Sequence, residues 1–98
     1  MVDMKVKLGN STLRNPVVLA AGTCGVLGEI ADAINLSTIG AITSKSITME
    51  PRVGNEPLRM LELPNGMINA IGLANGGIEA FIEHHAPKAM NIDTTVIG

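Results

Sequence analysis

Aromatic side chains are almost absent from this sequence: one Phe, no Trp and no Tyr in 98 residues. Base stacking on a single strand relies on such rings, so that class of nucleic-acid binding is excluded. Positive charge gives no support either. Seven Lys and Arg stand against nine Asp and Glu, for a net charge of −2, whereas nucleic-acid binders carry a basic face. Charged residues make up 16 %, below the roughly 25 % of a typical soluble domain. The single cysteine, Cys24, excludes an internal disulfide framework and a multi-cysteine zinc site, and it fits a reducing compartment. No stretch approaches the roughly 18 continuous apolar residues that span a bilayer. The opening MVDMKVKLGN is not followed by the apolar core of a signal peptide. The expectation is a cytoplasmic protein with neither nucleic acid nor membrane as partner.

What the sequence does contain is apolar substance, 46 % of it, normal for a packed interior and too much for a disordered tail. Lys5-Val6-Lys7-Leu8 alternates with the period of a half-buried strand. Gly9-Asn10-Ser11 is turn chemistry, and Thr12-Leu13 can pair back as a hairpin. Pro16-Val17-Val18-Leu19-Ala20-Ala21 and Ile39-Gly40-Ala41-Ile42-Thr43-Ser44 are short continuous apolar runs, the pattern of strands buried on both faces. Between them, Leu27, Ile30, Ala31 and Ile34 share one helical face, predicting a helix from about residue 28 to 35. Residues 45 to 76 contain Pro51, Pro57 and Pro64 and read mostly as loop. A loop of about 30 residues within a compact domain is usually functional. Ile78, Phe81, Ile82 and His85 form a second helical stripe that Pro87 limits, and Thr94-Thr95-Val96-Ile97-Gly98 is a third strand-like run.

This order, a hairpin followed by alternating strands and helices, predicts a parallel α/β sheet. A (β/α)8 TIM barrel takes about 250 residues. The length here supplies the hairpin plus about three strands, so the expectation is the N-terminal portion of such a barrel.

In a barrel of this kind active sites form at the C-terminal ends of the strands. Lys45 stands directly after the second strand, where a lysine can pair with a carboxylate or phosphate or simply close the strand in solvent. Gly22, Gly25 and Gly28 have neither of the usual phosphate-loop spacings; they allow a tight turn or let a flat ligand approach the backbone. Asn65-Gly66-Met67-Ile68-Asn69-Ala70-Ile71-Gly72-Leu73 is an apolar loop with amides inside it. Asn69 presents donors and an acceptor in one plane, suited to the edge of a heterocycle. The plainer reading is a loop stapled to the barrel rim by Met67, Ile68 and Leu73. His84 and His85 are neighbours on a helix, point about 100° apart, and do not form a shared metal site. Cys24 reads as a small buried side chain. Arg52, Glu56, Arg59 and Glu62 read as a solvated or loop-bracing set. No carboxylate pair stands out for acid–base work.

Four stretches together resemble the amino-terminal part of the dihydroorotate dehydrogenase family. They are Leu13-Arg14-Asn15-Pro16-Val17; Ala20-Ala21-Gly22-Thr23; Thr43-Ser44-Lys45-Ser46-Ile47-Thr48 leading to Glu50-Pro51-Arg52 and Gly54-Asn55; and Gly66-Met67-Ile68-Asn69-Ala70-Ile71-Gly72-Leu73. Order and spacing match as well as content, and the Asn-Ala-Ile-Gly-Leu wording is most similar to the NAD-linked class 1B catalytic subunit. The resemblance implies a TIM barrel holding FMN at its C-terminal mouth and oxidising dihydroorotate to orotate in pyrimidine biosynthesis. It implies that Ala21, Gly22, Lys45 and Ser46 contact the flavin. It further implies that Lys45, Asn69, Ala70, Ile71, Gly72 and Leu73 contact the pyrimidine. The implied partners are an FAD and iron–sulfur electron-transfer subunit and, in a homo-oligomer, further copies of the enzyme. On this resemblance residues 1–98 are a partial barrel domain, and the catalytic base lies beyond residue 98. Cys24, where relatives often carry an aromatic, is not that base. Ala74-Asn75-Gly76-Gly77 lacks a proline often found there, which implies a looser start to the second helix. Two other readings stay open at this point: a non-catalytic truncated polypeptide or association module, and a flavoprotein domain like that of dihydropyrimidine dehydrogenase.

Overall fold

The computed structural model describes residues 1–22, 24–27 and 29–98; Thr23 and Gly28, both in the Gly-rich stretch of sequence for which a tight turn is expected, lie outside the described residues. Seven strands are present among the described residues: β1 (Val6–Leu8), β2 (Ser11–Leu13), β3 (Val18–Leu19), β4 (Ala41–Thr43), β5 (Met60–Leu63), β6 (Gly66–Asn69) and β7 (Thr95–Ile97). β1 and β2 form the antiparallel hairpin that the alternation predicts, with Val6 opposite Leu13 and Leu8 opposite Ser11. Leu13 is its one buried corner. Beyond it, the Arg14 guanidinium donates to the carbonyls of Ser37 and Asp93, and the Asn15 amide donates to the Thr38 carbonyl at 2.8 Å. These bonds tie the hairpin to the two segments that feed the sheet.

β3, β4 and β7 form a parallel sheet in that order. Val18 lies opposite Ala41, and Ile42 stands between Leu19 and Val96. The central strand matches its apolar pattern: Ala41 is fully buried and Ile42 is 1 % exposed. β3 does not. Its apolar run predicts burial on both faces, yet Val18 and the preceding Val17 are 40 % and 51 % exposed, because only Leu19 of β3 packs against the core cluster.

The helix expected over residues 28–35 is also corrected. A short 3₁₀ turn spans Glu29–Asp32 and a second spans Leu36–Thr38. Asn35 interrupts the run. Its carboxamide oxygen accepts from the Ser37 N–H at 3.0 Å and the Ser37 hydroxyl at 2.8 Å, and the Thr38 hydroxyl donates to its carbonyl at 2.7 Å. Side chains of this kind draw the backbone away from helical bonding. The apolar face survives the change: Ile30 and Ile34 pack with Leu27, Leu36, Ile39 and Ile42, while Ala31 turns to solvent.

Pro87 does not end the second helix. The chain runs through α1 (Gly77–Ala80), a wide turn over Phe81–His85, and α2 (Ala86–Ala89). In the wide turn the Ala86 N–H reaches back five residues to the Phe81 carbonyl. Pro87 then falls in the first turn of α2, where a missing N–H costs nothing. Phe81, Ala89 and Ile92 pack on the core, but Ile82, expected on the same stripe, is 60 % exposed.

The segment 45–76 is less loop than expected, because β5 and β6 form a hairpin within it, closed by Pro64-Asn65, with Leu63 opposite Gly66 and Met60 opposite Asn69. Its apolar side chains remain between 45 and 62 % exposed. Met67, Ile68 and Leu73, expected to staple this segment to the sheet rim, are 62 %, 57 % and 50 % exposed. The radius of gyration, 15.6 Å, accordingly exceeds the roughly 13 Å of a closed 100-residue domain. Among the described residues no helix is long and apolar enough to cross a membrane.

Candidate functional site

Parallel pairing brings the C-terminal ends of β3 and β4 to one edge of the sheet. Ala21 and Gly22 follow β3, and Ser44, Lys45 and Ser46 follow β4. Ser44 is 3 % exposed, and its N–H bonds the Ile97 carbonyl at 2.8 Å. The ladder therefore holds the backbone rigid up to the residue before Lys45. This is the edge at which open and closed parallel sheets place their ligands.

A cleft of about 780 Å³ opens there, within the range of roughly 300–1,000 Å³ typical of small-molecule sites. One wall is Ala21, Gly22, Lys45 and Ser46; the other is Asn69, Ala70, Ile71, Gly72 and Leu73. All nine residues singled out from the sequence thus line one cleft. Met60 and Ala74 complete it. Met60 is not apparent from the sequence, where its strand has the composition of a loop; the Pro64-Asn65-Gly66 turn is the one signal that places it opposite Asn69. A second hollow of about 520 Å³, beside residues 31–37 and 91–93, lies where the chain enters β4 and β7, the edge of a parallel sheet that does not carry its chemistry.

The second wall is held by hydrogen bonds. The Asn55 amide donates to the Ala70 carbonyl at 2.8 Å, and the Asn55 N–H bonds the Ile71 carbonyl at 2.9 Å. The Ala70 N–H bonds the Arg59 carbonyl at 2.8 Å. The Arg59 guanidinium in turn braces the carbonyls of Val53 and Asn55 at 3.3 and 3.2 Å, so the loop-bracing role expected of this charged set falls to Arg59. Gly72 and Leu73 both adopt left-handed backbone, at φ 81° and 59°. Glycine does so freely; a leucine there costs about 1–2 kcal/mol, offset by the bonds around it. Within this frame neither the Lys45 ammonium nor the Asn69 amide is hydrogen-bonded to protein among the described residues. Lys45 and Asn69 thus line, with side chains not hydrogen-bonded to protein among the described residues, a cleft walled elsewhere by small and apolar residues.

The remaining candidates fall outside. Cys24 is half-buried and does not line the cleft. His84 is exposed, 3.7 Å from Glu83, and the half-buried His85 ring lies 5.9 Å from that of Phe81. Among the described residues no group of three His, Cys, Asp or Glu is placed to hold a metal ion.

Comparison with known proteins adds three findings. The family model for dihydroorotate dehydrogenase matches residues 3–98. The chain is 47 % identical over 95 residues to the protein of Geobacter sp. (strain M21) named dihydroorotate dehydrogenase B (NAD(+)), catalytic subunit, covering 97 % of this chain and 31 % of that protein. A protein of the same name from Parabacteroides distasonis is 45 % identical over 97 residues, 99 % of this chain and 32 % of the relative. The chain thus spans about a third of the length of the curated relatives it matches.

Proposed function

The chain belongs to the dihydroorotate dehydrogenase family, and from that premise we propose that it forms the amino-terminal part of an FMN-dependent enzyme oxidising dihydroorotate to orotate in pyrimidine biosynthesis. On this reading β3, β4 and β7 begin a (β/α)8 barrel, and residues 1–98 are a partial barrel domain. The observation that carries it is the convergence of the strand-end residues and the 69–73 loop on one cleft.

Gly22 fits a flat cofactor. It has φ 84°, and beyond its own chain neighbours nothing lies within 4 Å of where a Cβ would stand, so Gly22 presents bare backbone to the cleft beside the small side chain of Ala21. These two residues, with Lys45 and Ser46, are the ones that would hold FMN. Bound there, FMN would supply the acceptor for the hydride released from C6 of dihydroorotate. Lys45 contributes a fixed positive charge toward an anionic substrate. Asn69 gives its amide to the pyrimidine edge, one donor and one acceptor in a plane. Residues 70–73 exclude water and shape the slot. The base that takes the C5 proton is assigned to residues beyond 98. The relatives' names, with NAD(+) and catalytic subunit in them, support an NAD-linked enzyme of more than one kind of subunit; we propose that a partner subunit with FAD and an iron–sulfur cluster carries the electrons, and that the assembly is homo-oligomeric.

In a full-length, flavin-loaded protein carrying these 98 residues, Asn69→Ala weakens orotate binding by about tenfold, equivalent to roughly 1.4 kcal/mol. Titration calorimetry with orotate and with uracil checks this. Unchanged orotate affinity in the variant, or uracil binding as tightly as orotate in the unsubstituted protein, overturns the assignment of Asn69 and of the substrate.

A further inference from the structure

The segment after Lys45, the end of the 69–73 loop and the start of α1 meet on one side chain, that of Asn75. The Asn75 amide nitrogen donates to the Leu73 carbonyl at 2.8 Å and to the Thr48 hydroxyl at 3.0 Å. Its oxygen accepts the N–H of Gly77 at 2.9 Å and the N–H of Thr48 at 3.2 Å. Both donors and both lone pairs are thereby used. The Thr48 hydroxyl itself donates to the Glu50 carbonyl at 2.6 Å. The Asn75 backbone is fixed as well, exchanging two hydrogen bonds with Arg52 at 2.8 and 2.9 Å.

The partners matter more than their number. Thr48 lies three residues after Lys45, Leu73 ends the loop that begins at Asn69, and Gly77 opens α1. A small cavity of about 40 Å³ is lined by Asn75 together with Lys45 and Ser46, so this amide adjoins the first wall while gripping the second. Its bond to Leu73 falls on the carbonyl of the one non-glycine residue in left-handed conformation among the described residues. The same amide also takes over the helix start that the missing proline was expected to loosen.

We infer that Asn75 is a positioning residue: it locks the 69–73 loop against the segment carrying Lys45 and so sets the spacing between the Asn69 amide and the Lys45 ammonium. This rests on the function proposed above. The discriminating substitution is Asn75→Asp. It keeps the oxygens that accept from Gly77 and Thr48, and a carboxylate at a helix N-terminus is favourable. It removes both donations and sets an anionic oxygen against the Leu73 carbonyl.

The test uses the flavin-loaded full-length protein carrying these residues. The expected result for Asn75→Asp is a rise of about tenfold in orotate Kd and in dihydroorotate KM, with kcat, flavin content and Tm close to those of the unsubstituted protein. Thr48→Val, which removes one partner, moves Kd in the same direction by a smaller factor. Orotate affinity unchanged in Asn75→Asp overturns the inference. So does a parallel loss of Tm and flavin content, which marks a structural role only. If Asn75→Asp does not fold, Thr48→Val decides: weakened orotate binding at unchanged Tm supports the inference and unchanged binding overturns it. Failure of the unsubstituted protein to bind orotate removes the proposed function, a result separable from failure of the Asn75 inference alone.

Discussion

Replacing Lys45 with alanine lowers kcat/KM for dihydroorotate by about 100-fold or more in the full-length flavoprotein, the scale of loss when one preorganised electrostatic group is removed from a site. The expectation follows from placement. Lys45 is half-buried, directly after the buried Ser44 that follows β4, and lines the cleft with Gly22 and Asn69. A charge held in a partly dry cleft acts more strongly than the same charge in water. Lys45→Arg does not restore the rate, because a planar fork cannot occupy the position of a compact ammonium. Steady-state kinetics checks both variants. Turnover of the alanine variant at the unsubstituted rate removes Lys45 from the site.

The second large effect lies in the core. Ile42 is 1 % exposed and sits in the middle strand between Leu19 and Val96, packed with Leu27, Leu36 and Ile39. Ile42→Ala removes buried methyl and methylene groups where strands on both sides prevent collapse, and costs about 2–5 kcal/mol; Ile42→Val costs about 0.5–1.5 kcal/mol. Losses of the first size approach the whole stability of many domains, about 5–15 kcal/mol. Urea unfolding of the full-length protein measures both. A loss below about 1 kcal/mol for the alanine variant contradicts the placement of β4 at the centre of the sheet.

Where the physics is local, the sequence is a good guide. The β1–β2 hairpin follows from alternation and a Gly-Asn turn, and β4 from an uninterrupted apolar run. The candidate site was legible for a related reason: a lysine closing a buried strand and an amide inside an apolar loop are both unusual placements, and the family resemblance joined them. What failed depended on competition between neighbouring groups. Of the face that periodicity predicts, Leu27, Ile30 and Ile34 turn inward and Ala31 does not; periodicity does not report that Asn35, Ser37 and Thr38 will take backbone bonds for themselves. Pro87 looked like a stop because a proline breaks an α-helix; a wide turn before it shifts the bonding by one residue and accommodates the ring. The β5–β6 hairpin was hidden because its strands do not alternate cleanly and its apolar side chains remain exposed. Asn75 was invisible for a different reason. Its role lies in bonds to residues up to 27 positions away, and no local pattern reports those.

The most direct test of the central claim is a crystal structure of the full-length flavoprotein with orotate bound. The account predicts the pyrimidine in the cleft between the ends of β3 and β4 and the 69–73 loop, within hydrogen-bonding distance of Lys45 Nζ and the Asn69 amide, with the flavin against Ala21 and Gly22. Orotate bound elsewhere, with Lys45 and Asn69 both facing solvent, contradicts it.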